Sequence, residues 1–143
     1  MIARILFITS MCAMAFFSGA LGLWAIDREL PVTDVQSIVL NNNVTAGQIV
    51  RIRVTAYRIR QCKVIIERFI DAADNTRFLF PDVDYANPGP TGRIETIIEL
   101  TMPQRIQPGL AVLRTNAIWE CNPSHKIWPI VIQQPSIGIL VTH

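Results

Sequence analysis

The chain has 143 residues; half are hydrophobic, 17% are charged, and the formal net charge is +2 with no run of like charges. That length holds one domain and little else. A net charge that small does not argue for a nucleic-acid partner, which would favour a basic face, so none is expected, and apolar residues spread through the chain argue against intrinsic disorder.

Residues 1–30, MIARILFITSMCAMAFFSGALGLWAIDREL, decide the compartment. After Arg4 no charge appears until Asp27, which leaves 22 uncharged residues from Ile5 to Ile26. As a helix they span roughly 33 Å, enough to cross a hydrocarbon core of about 30 Å. The alternative is a cleaved signal peptide with Arg4 in its basic leader and Ser18-Gly19-Ala20 as its cleavage site. The apolar run continues past Ala20 to Ile26, which an anchor needs and a released peptide does not. Trp24 falls where an interfacial aromatic belongs, and positive charge ahead of the segment sets the N-terminus inside. A buried helix of a soluble domain would show a polar stripe, and none is present. Cys12 reads as a small buried hydrophobe within this run.

Residues 31–43 read as a linker, from Pro31 to Asn41-Asn42-Asn43, with Ser37–Leu40 a candidate edge strand. From 44 to 143 the chain reads as strands. Thr45–Gln48 is a turn. IVRIRVTAYRIRQC alternates, Val50, Ile52, Val54 and Ala56 on one face and Arg51, Arg53, Thr55 and Tyr57 on the other. Arg58 and Arg60 then fall on the apolar parity, so a bulge or a bend near Tyr57 is expected. CKVIIERFID is a second extended run, and RFLF a short strand. PDVDYANPGPTG, with three prolines and two glycines in twelve residues, is a loop. RIETIIELT places Ile94, Thr96, Ile98 and Leu100 inward. LAVLRTNAIWEC, KIWPIVIQ and SIGILVTH complete the set, with NPSH a turn. About seven short strands without an amphipathic helix predict an all-β fold, an antiparallel sandwich or barrel behind an N-terminal transmembrane helix.

Of the three cysteines, Cys62 and Cys121 remain for the domain. No C-x-x-C and no metal-spaced histidine pair occurs. In an exported protein the two make a disulfide. A Cys121 nucleophile with His125 as base is the competing reading; His125 otherwise reads as a surface turn residue. PGLAVLRTNAIWEC resembles the penultimate strand of an immunoglobulin-like sandwich, with Trp119 in place of the tyrosine two before the cysteine. That resemblance implies a bridge between two sheets. No tryptophan comes shortly after Cys62; Ile65 and Phe69 are the nearest bulky residues.

Three surfaces remain. Asp71, Asp74, Asp82 and Asp84 surround RFLF but fit no calcium loop. Arg51, Arg53, Arg58, Arg60, Lys63 and Arg68 make the middle strands basic, a stripe that could meet an acidic partner, lipid headgroups or a nucleic acid; pairing across strands with Glu67, Glu95 and Glu99 accounts for them best. The proline-rich loop carries Asp82, Asp84, Tyr85, Asn87 and Pro88, an ordinary connector or else the recognition surface. No catalytic motif, cofactor site or metal site is expected.

The N-terminal anchor together with CK-x-x-x-x-R-F-I-D and ECNPSHKIWPI resembles small membrane-anchored proteins of tailed bacteriophages. The resemblance implies a bacterial inner membrane and a periplasmic domain. The expected function is a non-enzymatic, membrane-anchored interaction or structural protein. Its partners would be the lipid bilayer, another protein and further copies of itself. The alternatives are a virion component whose apolar N-terminus packs in an assembly, and a secreted enzyme.

Overall fold

A computed structural model of the chain describes residues 2–41 and 43–143, with side chains from Phe7 onward; Arg4, Ile5 and Asn42, invoked above, lie outside that set as side chains. Helix α1 (Ile2–Ile26) contains the whole apolar run. Its 25 residues measure about 38 Å. The stretch Phe7–Ile26 has a mean hydropathy of 1.6 and none of it is buried, so it is long and apolar enough to cross a membrane. Cys12, expected as a buried small residue, is exposed on this helix.

Ten strands follow among the described residues: β1 (Val32–Val39), β2 (Asn43–Thr45), β3 (Ile49–Arg58), β4 (Lys63–Asp71), β5 (Arg77–Leu79), β6 (Val83–Tyr85), β7 (Gly92–Thr101), β8 (Gly109–Glu120), β9 (Ile130–Gln133) and β10 (Ile137–Thr142). They form two sheets. The smaller runs β1-β3-β7; the larger runs β2-β10-β8-β4-β5, with β6 on β4 and β9 on β8. Val50, Ile52 and Leu100 from the small sheet meet Ile70, Ala111, Leu113, Ile139 and Val141 from the large one in a single core cluster. A second cluster gathers Val32, Ala56, Cys62, Val64, Ile66, Ala117, Trp119 and Ile130.

Several expectations change. The sheets are mixed, not purely antiparallel, because β2 and β10 run parallel, from Leu140↔Asn43 to Thr142↔Thr45. These strands come from opposite ends of the domain, so no hairpin constrains their relative direction. The strand count rises above seven because three-residue pieces give no period to read. One of them, β6, lies inside the proline-rich loop, where Val83–Tyr85 pairs with Val64–Ile66. Another difference lies at 31–43, read as a linker: the sheet already begins there, with β1 paired to β3.

Strand β3 carries no bulge near Tyr57; the chain bends at Arg60, after the strand has ended. β3 and β7 stay in one register from Ile49↔Thr101 to Arg58↔Gly92. The irregularity is on β1 instead, between Thr33 and Gln36, where Asp34 takes φ 53°. Strand β3 therefore keeps its parity to the end and turns Arg58 inward. It is 8% exposed.

The disulfide Cys62–Cys121 is present. It does not join two sheets as the immunoglobulin resemblance implies. β4 and β8 are neighbours in one sheet, paired from Asp71↔Val112 to Lys63↔Glu120. The two cysteines are the next step of that register, so the bridge closes the end of an existing ladder.

Candidate functional site

Two regions gather polar and aromatic groups: the junction of α1 with the domain, and a cleft between the sheets.

At the junction, the last carbonyls of α1 need partners that the helix cannot supply. The backbone N–H of Asp27 donates to Leu23 O at 3.2 Å, and Asn122 Nδ2 donates to Trp24 O at 3.2 Å. Asn122 also caps the short 3-10 turn Pro123–Lys126, its Oδ1 accepting from the N–H groups of Ser124 and His125. Asp27 takes a two-pronged ion pair from Arg60 at 2.8 and 2.7 Å. The Arg60 guanidinium holds the Asp27 carboxyl down at about 2, with a smaller contribution from Asn122.

His125 is 2% exposed, not the surface turn residue expected. Its Nδ1 accepts from the Cys121 N–H at 3.1 Å, which leaves Nε2 to donate to Asp27 O at 2.9 Å. A ring nitrogen on each side is thus committed to backbone, and the Cys121 sulfur is in the disulfide. A Cys121–His125 nucleophile and base is therefore not assembled. Arg28 lies over the Trp128 ring at 3.6 Å and donates to Trp128 O and Pro129 O. Beside it, Ile127 is 92% exposed and Trp128 65% exposed.

The cleft has a volume of about 610 Å³ and runs between the sheets beneath the proline-rich loop. Strand β7, which among the described residues pairs with β3 alone, lines it from Ile94 to Glu99. Of the four β7 residues expected inward, Leu100 is buried, Ile94 and Ile98 are half-buried, and Thr96 is exposed. Val35, Val54, Ile66, Val83 and Trp119 complete its apolar wall.

Each sheet points one arginine into this cleft, Arg58 from β3 and Arg68 from β4. Both are 8% exposed, and the Nε of each has no hydrogen-bond partner. Arg58 Nη1 donates to Pro88 O and Pro90 O, which ties the loop across the mouth. Among the described residues neither forms an ion pair with a carboxylate. Burial lowers both guanidinium groups from arginine's usual range; at Arg68 a hydrogen bond with the Tyr85 hydroxyl pulls the other way. The Trp119 indole N–H in the same wall is also unpartnered.

Of the other basic residues, Arg51 and Arg53 pair across strands with Glu99 and Glu95 as expected, whereas Arg60 pairs with Asp27, Lys63 with Asp84, and Glu67 takes no ion pair among the described residues. Arg51 meets Glu99 at 2.9 Å and Arg53 meets Glu95 at 3.3 Å. Lys63 meets Asp84 at 3.2 Å, and Asp71 is shared by Arg77 and Arg114. Asp74 Oδ1 accepts from the Thr76 N–H. Asp71, Asp74 and Asp84 are thus engaged locally, and no group of three or more metal-ligating side chains forms among the described residues. Of the loop residues singled out, Tyr85 and Pro88 line the cleft, Asp84 faces Lys63, Asn87 accepts from the Gly89 N–H, and Asp82 is exposed beside β5. Arg58 and Arg68 were missed as a pair, although their parity with Ala56 and Ile66 was the available signal.

No protein-family model matches the chain, and no curated protein matches it. Solved structures do. The Pseudomonas fluorescens alkylpurine DNA glycosylase AlkC, bound to DNA containing an abasic site analog, aligns over 79% of this chain and 31% of its own, with TM-score 0.54 and 11% identity. The sporulation control protein Spo0M of Bacillus subtilis covers 80% of this chain and 51% of its own, at TM-score 0.49 and 12% identity. The CARDB domain of the PF1109 protein from Pyrococcus furiosus, in complex with di-metal ions, covers 78% and 87%, at 0.46 and 13%. The chain spans about a third of the glycosylase, and at 11% identity the likeness is one of fold alone.

Proposed function

We propose that this protein is a non-enzymatic, membrane-tethered interaction module. In this reading α1 crosses the bilayer with its N-terminus inside, and the disulfide-bonded β domain stands on the periplasmic or outer side, where it binds a partner. We read the domain as a distant variant of the immunoglobulin-like sandwich in which the bridge has moved into one sheet.

The observation that carries this reading is the apolar collar at the helix exit. Ile127 and Trp128, 92% and 65% exposed, sit on the turn that grips the end of an apolar helix with no buried face. Exposed large apolar side chains in one place mark a surface meant to be covered. An aromatic beside an arginine, at the end of a spanning helix, suits the headgroup layer. The disulfide supports an oxidising compartment.

Alkaline carbonate extraction combined with protease added to intact spheroplasts tests it. The expected result is a chain that stays in the membrane pellet and loses its β domain to external protease. A chain released by carbonate, or a domain protected until lysis, overturns it.

A further inference from the structure

The cleft between the sheets holds two arginines that the tethering role leaves unexplained. A buried cation is costly unless it is paired. Arg58 and Arg68 both line this space, each is more than nine-tenths buried, and the Nε of each is buried without a hydrogen-bond partner. The carboxylates at the margin, Glu95 and Glu99, are taken by Arg53 and Arg51 on the outer face. Around the two cations the wall is apolar, formed by Val35, Val54, Ile66, Ile94 and Ile98. The volume, about 610 Å³, falls within the range of about 300–1,000 Å³ usual for small-molecule sites.

We propose that this cleft binds a small acidic amphiphile, an apolar chain ending in an oxyanion, with the oxyanion between Arg58 and Arg68 and the chain against Ile66, Ile94 and Ile98. The apolar part replaces water along the open β7 side. The oxyanion accepts from the two guanidinium groups, the strong charge-assisted geometry of guanidinium recognition. Arg58 also fastens Pro88 and Pro90 over the mouth, so ligand entry and loop position are linked through one side chain. A carboxylate and a phosphate monoester share this chemistry. The site does not depend on where α1 lies, so it goes beyond the tethering role.

The test uses the full chain in phosphatidylcholine nanodiscs and a decanoic acid carrying a photoactivatable diazirine. Crosslinks are mapped by peptide mass spectrometry. Label is expected within Val64–Arg68 and Ile94–Ile98. Excess octanoate, or octyl phosphate, should reduce it by about tenfold or more, and octanol by less than about twofold, as a charge-assisted contact requires. The relative strength of the two acids identifies the headgroup. Arg68→Met should lower labelling by about tenfold while the Cys62–Cys121 disulfide still forms. Label confined to α1, or equal competition by octanol and octanoate, overturns the proposal. So does full labelling of Arg68→Met. The competition among wild-type samples decides the matter even if the variant fails to fold, and neither result bears on membrane extraction.

Discussion

Asp27, the residue directly after α1, holds Arg60 through both carboxylate oxygens, and the same residue's carbonyl accepts from His125. One aspartate thus fixes the helix exit to two separate parts of the domain, the β3–β4 connection and the 123–126 turn. A flexible tether would show no such contacts, so α1 and the domain are coupled at this point.

The coupling is pH-dependent. A carboxyl held at about 2, below its ordinary 3.8, stabilises the fold fully above about pH 4 and loses that contribution as pH falls through about 2. The effect is of the order of 1 kcal/mol once solvent screening is allowed for. Asp71, lowered by Arg77, and Asp74, lowered by the Thr76 backbone N–H, move the same way. Thermal unfolding of wild type and Asp27→Asn between pH 2 and 6 isolates the Asp27 share. The two curves should converge at the acid end and separate above about pH 4, with wild type the more stable.

Removing the bridge should weaken the domain without rearranging it, because β4 and β8 are already paired up to Lys63↔Glu120. The closed segment of 59 residues corresponds to roughly 4 kcal/mol in the chain-entropy picture. Cys62→Ala with Cys121→Ala should therefore lower unfolding free energy by roughly 2–4 kcal/mol in urea, with an unchanged strand signature by circular dichroism.

Arg68 and Arg51 differ in a way that only burial explains. Arg68 is an inward cation without a carboxylate, so Arg68→Met should leave the ligand-free domain as stable as before or raise it by up to about 2 kcal/mol. Arg51 is exposed and paired with Glu99, and Arg51→Met should change stability by less than about 0.5 kcal/mol. Parallel urea titrations read both. A large loss at Arg68 would mean that its charge already has a partner.

The strands with clean alternation were legible in the sequence. β3, β4, β7 and β8 each run for nine residues or more, long enough for period-2 burial to appear. Arg58 was the instructive failure. Reading an arginine at an inward position as a slipped register is sound where cores are apolar, yet the ladder to β7 runs on unbroken. The cleft beside an unpaired β7 edge makes that arginine tolerable, and no local pattern announces such a cleft. Sheet membership of the two cysteines was equally hidden, since their spacing is the same whether they join one sheet or two. The parallel pairing of β2 with β10 depends on the chain ends meeting, which alternation cannot encode.

The collar makes its own prediction. In nanodiscs containing brominated lipid, a variant retaining Trp128 as its single tryptophan should be strongly quenched. A variant retaining only Trp119, 5% exposed in the core, should be almost unaffected. Equal quenching of the two would place the 123–129 turn away from the headgroups.

Counting thiols tests the central claim most directly. Carbonate-washed membranes are denatured and treated with a maleimide mass tag, with and without prior reduction. The tethered, oxidised chain should accept one tag at Cys12 before reduction and three after it, because Cys62 and Cys121 are joined. Three tags without reductant, or none rising to two because Cys12 has left with a cleaved peptide, would contradict it.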